Sequence, residues 1–487
     1  MKVDDYIHFD ALGLAELIRS KQISPKELLD VAIVRAEQCN LVLNAITLKM
    51  YDIAYEYIHH KKYNGEIFFG VPFLLKDLDI FYSGTTTSFG SKAFKKFKAT
   101  HDSEIVKRFK QSGLVIFGKT NIPELGVGFN TDSDLWGQCY NPWDLTRIPG
   151  GSSGGAAASV ASRIVPMAHG SDWGGSIRVP AACCGVFGFK PTRGLTPNGP
   201  DVGEFFSGCG SQNALTITVR DSAAMLDSIS GASLGDPHAT PTKPPSFLVS
   251  IKTPPRKLKI AYSYSILNIP VNEECIKACN KSLKICENLG HDVEENYPKY
   301  NQEEMNEAYK IIISANIAME INLQEKRLGH SIAIEDLEEK NILMIKRGKK
   351  YTAADYAQAL RTIHFNSRKI ALFYDVYDIL ITPTTTQPPL QINSLGMDKK
   401  GKITTLFCPY ASIVNLTGQP AMSVPLHWTK ENIPIGTHFI GRWGKDETLL
   451  KLARQLEIAY PWHKRFPELS LKINESHICT NLNKRSE

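Results

Sequence analysis

The sequence predicts an α/β protein, a single domain with a large mixed β-sheet covered by helices on both faces. Two observations predict it. Apolar runs without polar alternation, such as IFFGVPFLL over 67–75, read as strands buried on both faces. Amphipathic helical segments separate such runs over most of the chain, the pattern that layers helices against a sheet. No internal repeat of the solenoid kind is present. One domain is expected over 1–470, with a helical region at about 272–375 inserted within it and a polar tail at 471–487.

Composition narrows the function classes. Hydrophobic residues at 43% and charged residues at 22% are those of an ordinary globular protein. The net charge of +6 arises from 56 basic and 50 acidic residues, and the lysine clusters at 61–62, 95–98 and 346–350 read as solvated faces, not as a nucleic-acid footprint. The opening MKVDDYIHFD has two early acids and no apolar run, so it is neither a signal nor a transit peptide. No apolar stretch approaches the roughly 20 residues of a membrane helix. Ten cysteines form no CxxC pair, and Cys275, Cys279 and Cys286 recur at helical spacing, as in a reduced cytoplasmic protein. Thirteen histidines show no ligand spacing, so no metal is expected.

In chain order, Ser24-Pro25-Lys26-Glu27 combines an N-cap, a first-turn proline and a capping-box glutamate ahead of an apolar face at helical spacing. Residues 44–50 and 66–75 read as strands. The second delivers Lys76 into the interior, which is unusual because lysine is almost never buried without a partner or a task. Residues 102–113 read as a helix and 114–117 as a short strand. From Gly113 to Thr120 the chain matches the P-loop pattern GxxxxGKS/T, but a P-loop needs a strand before its first glycine and a helix after its lysine. Here a helix precedes, a strand fills the loop and Pro123 follows, so nucleotide binding is rejected. Residues 183–190 are apolar and glycine-rich, and 235–255, the most proline-rich segment, reads as an ordered surface connection. Helices are expected at 272–289, 302–328, about 334–347 and 352–374, strands at 377–382, 421–426 and 435–440, and a last helix at 446–459.

The chemistry concentrates in 147–180, which carries two glycine-flanked serine sites. Gly150-Gly151-Ser152-Ser153-Gly154 satisfies the GxSxG of an α/β-hydrolase elbow with Ser152 as nucleophile, yet the turn-rich Asn141-Pro142-Trp143-Asp144 and Pro149 leave no strand to form that elbow. In Gly170-Ser171-Asp172-Trp173-Gly174-Gly175-Ser176, two glycines let consecutive N–H groups converge on an oxyanion, and the serine after them is placed to attack. A serine hydroxyl needs a base. His169, in an apolar run, reads as a structural histidine. A desolvated Lys76 has its pKa pushed down and can accept a proton near neutral pH, with a second serine as relay.

These residues resemble the amidase signature hydrolases: GVPFLLKD, GKTNIPELG, NPWD, the GGSSGG and GGSIRVP serine stretch, GVFGFKPTRG, DILITPT and NLTGQPAMSVP follow one another along nearly the whole chain. The resemblance implies a Ser–cis-Ser–Lys triad. Ser176 would attack the amide carbonyl; Ser152, with a cis peptide on its amino side, would pass the proton to Lys76; and Trp173, Gly174, Gly175 and Ser176 would supply oxyanion N–H groups. Asp172, Ser153 and Arg178 would support them, and Gly126, Val127 and Gly128 would line the substrate channel or form a plain turn. SSGGAAA, PMAHGSD, PAACCG and NLTGQPA are nearer the stand-alone bacterial amidases of the 6-aminohexanoate-cyclic-dimer hydrolase branch than the amidotransferase A subunits, which release ammonia from glutamine. Trp173 departs from the pattern, since that position is more often small. The expectation is a cofactor-free, metal-free cytoplasmic hydrolase of a small linear or cyclic amide, without nucleic-acid or membrane partner and with a homodimer left open. The alternatives are a glutaminase subunit and a catalytically idle binding protein.

Overall fold

The computed structural model describes residues 1–240, 243–264, 269–394 and 407–470, and the tail expected at 471–487 lies outside the described residues. Among them eleven strands form one mixed sheet: β1 Ile46–Lys49, β2 Pro72–Lys76, β3 Val115–Thr120, β4 Met167–Asp172, β5 Phe187–Lys190, β6 Ser211–Thr216, β7 Lys259–Tyr262, β8 Asp292–Glu295, β9 Ile379–Pro383, β10 Ala421–Trp428 and β11 Pro434–Gly441. Their spatial order is β1-β3-β2-β4-β6-β5-β10-β11-β9-β7-β8. β2 runs parallel to both β3 and β4, so those strands leave the sheet at the same edge. Antiparallel pairs from β4 through β6, β5, β10 and β11 to β9 complete the centre. This is the mixed α/β architecture the apolar runs predict.

Local chemistry sets the elements. The helix Pro25–Leu43 starts on a complete capping box, Ser24 Oγ accepting from the Glu27 N–H and the Glu27 carboxylate accepting from the Ser24 N–H, and it ends at left-handed Asn44. The long helix Gln302–Leu328 spans the predicted residues and closes on left-handed Gly329. Cys275, Cys279 and Cys286 are buried on one face of the helix Glu273–Asn288.

Three expectations need correction. Of the strand expected at 66–75 only Pro72–Lys76 is strand, because Gly70 takes a left-handed φ of 79° and the preceding residues turn, with the Phe68 and Gly70 N–H groups bonded to Ser112 and Gly113 carbonyls. β3 extends three residues beyond the expected 117. Its Lys119 is buried there, donating to the Thr86 carbonyl and Thr87 Oγ1 within 4.0 Å of Asp77. The helix expected at 334–347 is split into Ile334–Asp336 and Glu339–Gly348, where the Glu124 carboxylate accepts from the Glu338 N–H and from Asn341 Nδ2 and holds the chain extended between them.

One small helix fixes the serine site in the core. Gly154–Ala161 is wholly buried, and a Cβ on Gly155 would sit 2.5 Å from the Ala45 carbonyl oxygen and the Asn121 nitrogen. Backbone approach this close admits only glycine. Gly155→Ala is therefore expected to destabilise the protein by about 1–3 kcal/mol through overpacking, read as a fall of several degrees in Tm by calorimetry. An unchanged Tm would show that the helix can shift without cost.

Candidate active site

β2 and β4 are parallel neighbours, paired at Leu74 and Ala168, and their carboxyl ends carry Lys76 and Ser171-Asp172. In an open α/β sheet this edge is where ligands bind. Two short helices point their amino ends at it: Gly154–Ala161 directly after Ser152-Ser153, and Arg178–Cys184 directly after Ser176-Ile177. The Ser153 N–H donates to the Ser176 carbonyl at 3.3 Å, tying the two serine stretches together. The Gly151–Ser152 peptide is cis.

Lys76 is fully buried, and its Nζ donates to Ser152 Oγ at 2.8 Å, to Ser171 Oγ at 3.0 Å and to the Ser171 carbonyl at 3.3 Å. Its partners are neutral oxygens. Burial therefore dominates and lowers its pKa to about 7, with the more distant Asp79 and Asp172 charges opposing the shift. His169 lies beneath: its Nδ1 accepts from the Lys76 backbone N–H and its Nε2 bonds Gln212 Oε1, while burial and the Lys76 charge hold it neutral, down to about 3. It is a structural histidine in this geometry. Ser171 was not singled out in the sequence, although it shares a strand face with His169 at the two-residue period that could have marked it.

The loop between the two sites hangs on Asp172. Burial alone would raise its carboxyl, but the fully buried Arg178 beside it holds it well below the usual carboxylate range, with Lys190 and Asn415 helping. Arg178 forms a fork, Nε to Oδ2 at 2.9 Å and Nη2 to Oδ1 at 2.8 Å. The same carboxylate accepts from the Gly175 N–H at 2.8 Å and the Ile177 N–H at 3.1 Å, which sets the course of the chain around Ser176. Asn415 donates to Asp172 and accepts from Arg178, and His438 Nε2 accepts from Arg178 Nη1 while its Nδ1 bonds Thr382. Neither Asn415 nor His438 carries a spacing signal linking it to Asp172, although Asn415 lies within NLTGQP.

Gly175, expected among the oxyanion donors, thus has its N–H on Asp172, and its φ of 129° is open only to glycine. Trp173 is half-buried, stacked on Phe205 at 5.4 Å and tilted against Phe206 at 4.5 Å. Tyr309 of the long helix lies over Gly174, where a Cβ would be 2.3 Å from its hydroxyl. Gly126 ends a tight turn closed by Leu78, Val127 joins the apolar cluster of Trp173, Phe206, Ile317 and Ile321, and the Gly128 carbonyl packs against Gly151. Among the described residues no group of three or more histidine, cysteine or acidic side chains is arranged to hold a metal ion.

The mixed-sheet fold and its relatives make the protein a hydrolase of amide bonds. The family model described as Amidase matches residues 27–450, and the chain belongs to that family, the amidase signature enzymes. It is 33% identical to a 6-aminohexanoate-cyclic-dimer hydrolase of Pseudomonas sp. (strain NK87) over 94% of this chain and 96% of that one, and to the same extent to its counterpart from Paenarthrobacter ureafaciens. A solved structure of 6-aminohexanoate cyclic dimer hydrolase complexed with substrate superposes with a TM-score of 0.91 at 32% identity, covering 95% of this chain and 99% of that one. No helix among the described residues is long and apolar enough to cross a membrane.

Removing Arg178 leaves a buried carboxylate unpaired. Arg178→Met is expected to cost about 3–5 kcal/mol in denaturant unfolding; a loss under about 1 kcal/mol would show that Asp172 does not depend on its partner.

Proposed function

We propose that the protein hydrolyses the carbon–nitrogen bond of a small linear or cyclic amide through an acyl-enzyme on Ser176. Ser176 Oγ attacks the carbonyl carbon as its proton passes through Ser152 Oγ to neutral Lys76 Nζ. The oxyanion is held by the N–H groups of Trp173, Gly174 and Ser176, which have no partner among the described residues, whereas Gly175 serves to shape the loop. Collapse of the tetrahedral adduct expels the amine, which takes its proton from Lys76 by way of Ser152, and water then repeats the sequence on the ester. Asp172, Arg178 and Ser153 hold the loop in place. Ser176, Ser152, Lys76 and water account for every bond and proton in this reaction, which needs no cofactor.

The observation that carries this reading is the Lys76 ammonium, buried at the edge of the sheet, bonded at 2.8 Å to Ser152 and lowered to about 7. A lysine so placed is a base at neutral pH. The names of the two relatives, both 6-aminohexanoate-cyclic-dimer hydrolases, support a small amide as substrate, as does the similarity to a solved structure of such a hydrolase complexed with substrate. The nine described cysteines are buried and free, which fits a cytoplasmic setting.

Three variants test the assignment with a chromogenic anilide. Ser176→Ala is expected to abolish turnover, Lys76→Ala to cost on the order of 10⁴-fold, and Ser152→Ala to fall between or close to these. Full activity of Ser176→Ala with loss in Ser152→Ala would instead make Ser152 the nucleophile. In the wild type, the protonated lysine is the inactive form, so kcat/KM should rise tenfold per pH unit below about 7 and level off above it. A profile flat into acid would remove Lys76 as base.

A further inference from the structure

At the opposite end of the buried helix Gly154–Ala161 from the two serines, an arginine stands where the backbone favours glycine. Arg163 follows Ser162, the residue that closes that helix, and takes a left-handed φ of 61°. Glycine is the usual residue at such a helix end, because a side chain there strains the backbone. The Arg163 side chain is nonetheless buried, with the residue 5% exposed. Its Nη2 donates to the His463 carbonyl at 2.7 Å and to the Arg465 carbonyl at 3.4 Å, tying the segment after the last long helix, Asp446–Ala459, to the core. Its Nε has no hydrogen-bond partner among the described residues.

Arg163, His463 and Arg465 line one cavity with Trp143, Val186, Ile217 and Trp462. It measures about 10 Å³, room for one water-sized body. His463 Nδ1 is likewise buried without a partner among the described residues. The acceptors around the cavity are already taken. The Cys184 carbonyl accepts from Trp143 Nε1 at 2.7 Å, the Ile217 carbonyl from Trp462 Nε1 at 3.1 Å, and the His463 and Arg465 carbonyls from Arg163. The charge is one-sided too. Burial and the charge of Arg35 lower the Arg163 guanidinium to about 9, and Asp10, the acid that opposes this, is held by Arg220 at 2.6 Å. Arg465 lies over Trp428, 4.4 Å from the ring centroid, and donates to the neutral side chain of Asn432.

A water molecule in the cavity would accept from each idle nitrogen, but it would leave a buried cation uncompensated, which is costly among apolar walls. An anion supplies both the acceptor and the charge. The size of the cavity restricts that anion to a single atom, since a carboxylate, sulfate or phosphate could not enter without moving the tryptophans. We propose that this cavity is a binding site for one halide ion, chloride in ordinary solution, held by Arg163 Nε and by His463 protonated at Nδ1. The ion fastens the segment at 462–465 to the end of the helix that carries Ser152 and Ser153 ahead of its start.

The test follows thermal unfolding of the whole chain in sodium chloride or bromide against sodium gluconate at equal ionic strength. The wild-type Tm is expected to rise by about 1–2 °C in the halides alone, saturably with concentration. Arg163→Gly, which removes the guanidinium and suits the left-handed backbone, should lose the halide response. His463→Leu should raise the half-saturating concentration about tenfold. Should Arg163→Gly fail to fold, His463→Leu, which keeps the backbone carbonyl that Arg163 binds, carries the comparison. Crystals grown in bromide should show an anomalous peak in this cavity. An equal rise in gluconate, or a halide response that survives both substitutions, overturns the site. So does an absent response, which would leave water as the occupant, and so does a bromide peak without any rise in Tm, which would be binding at crystal concentration only.

Discussion

The structure turns on the desolvation of one lysine. Lys76 ends a strand that is buried along its whole length, and every atom its ammonium touches is a neutral oxygen. Most buried lysines are rescued by a carboxylate, which restores the charged form. Here the carboxylates stay out of hydrogen-bond reach, and the penalty of burial remains as a lowered pKa. The sheet topology makes this possible. Because β2 lies between parallel β3 and β4, the lysine emerges beside the residues just ahead of the glycine loop, not at an exposed edge.

A second buried charge does the opposite work. Asp172 has its partner in Arg178, and the pair stays ionised with Asn415 and His438 completing its hydrogen bonds. Its task is geometric: two N–H groups on its carboxylate fix the chain on either side of Ser176. The two buried charges thus divide the labour. One is left unpaired so that it can change protonation, and the other is paired so that it cannot.

What could be read from the sequence is what appears as a residue type out of place. A lysine closing an apolar strand and serines after paired glycines were visible because neither suits a plain core. Long amphipathic helices were equally legible, and 302–328 was placed to the residue. What could not be read depends on distant partners. The break in 334–347 is imposed by Glu124, more than two hundred residues earlier. Asn415 and His438 meet Asp172 and Arg178 across 243 and 260 residues. Strands β7 and β8 escaped notice because they are short and, in β8, mostly exposed, so no apolar run marks them. Gly175 was expected from the family resemblance as an oxyanion donor, and only the position of the Asp172 carboxylate shows where its N–H goes.

Titration of Lys76 in the free protein bears most directly on this account. With lysine labelled at Cε by ¹³C and the resonance assigned by its loss in Lys76→Met, the chemical shift should titrate near 7, distinct from surface lysines near about 10.4. A Lys76 that titrates with the surface lysines would contradict the account, since a base already protonated at neutral pH could not activate Ser176.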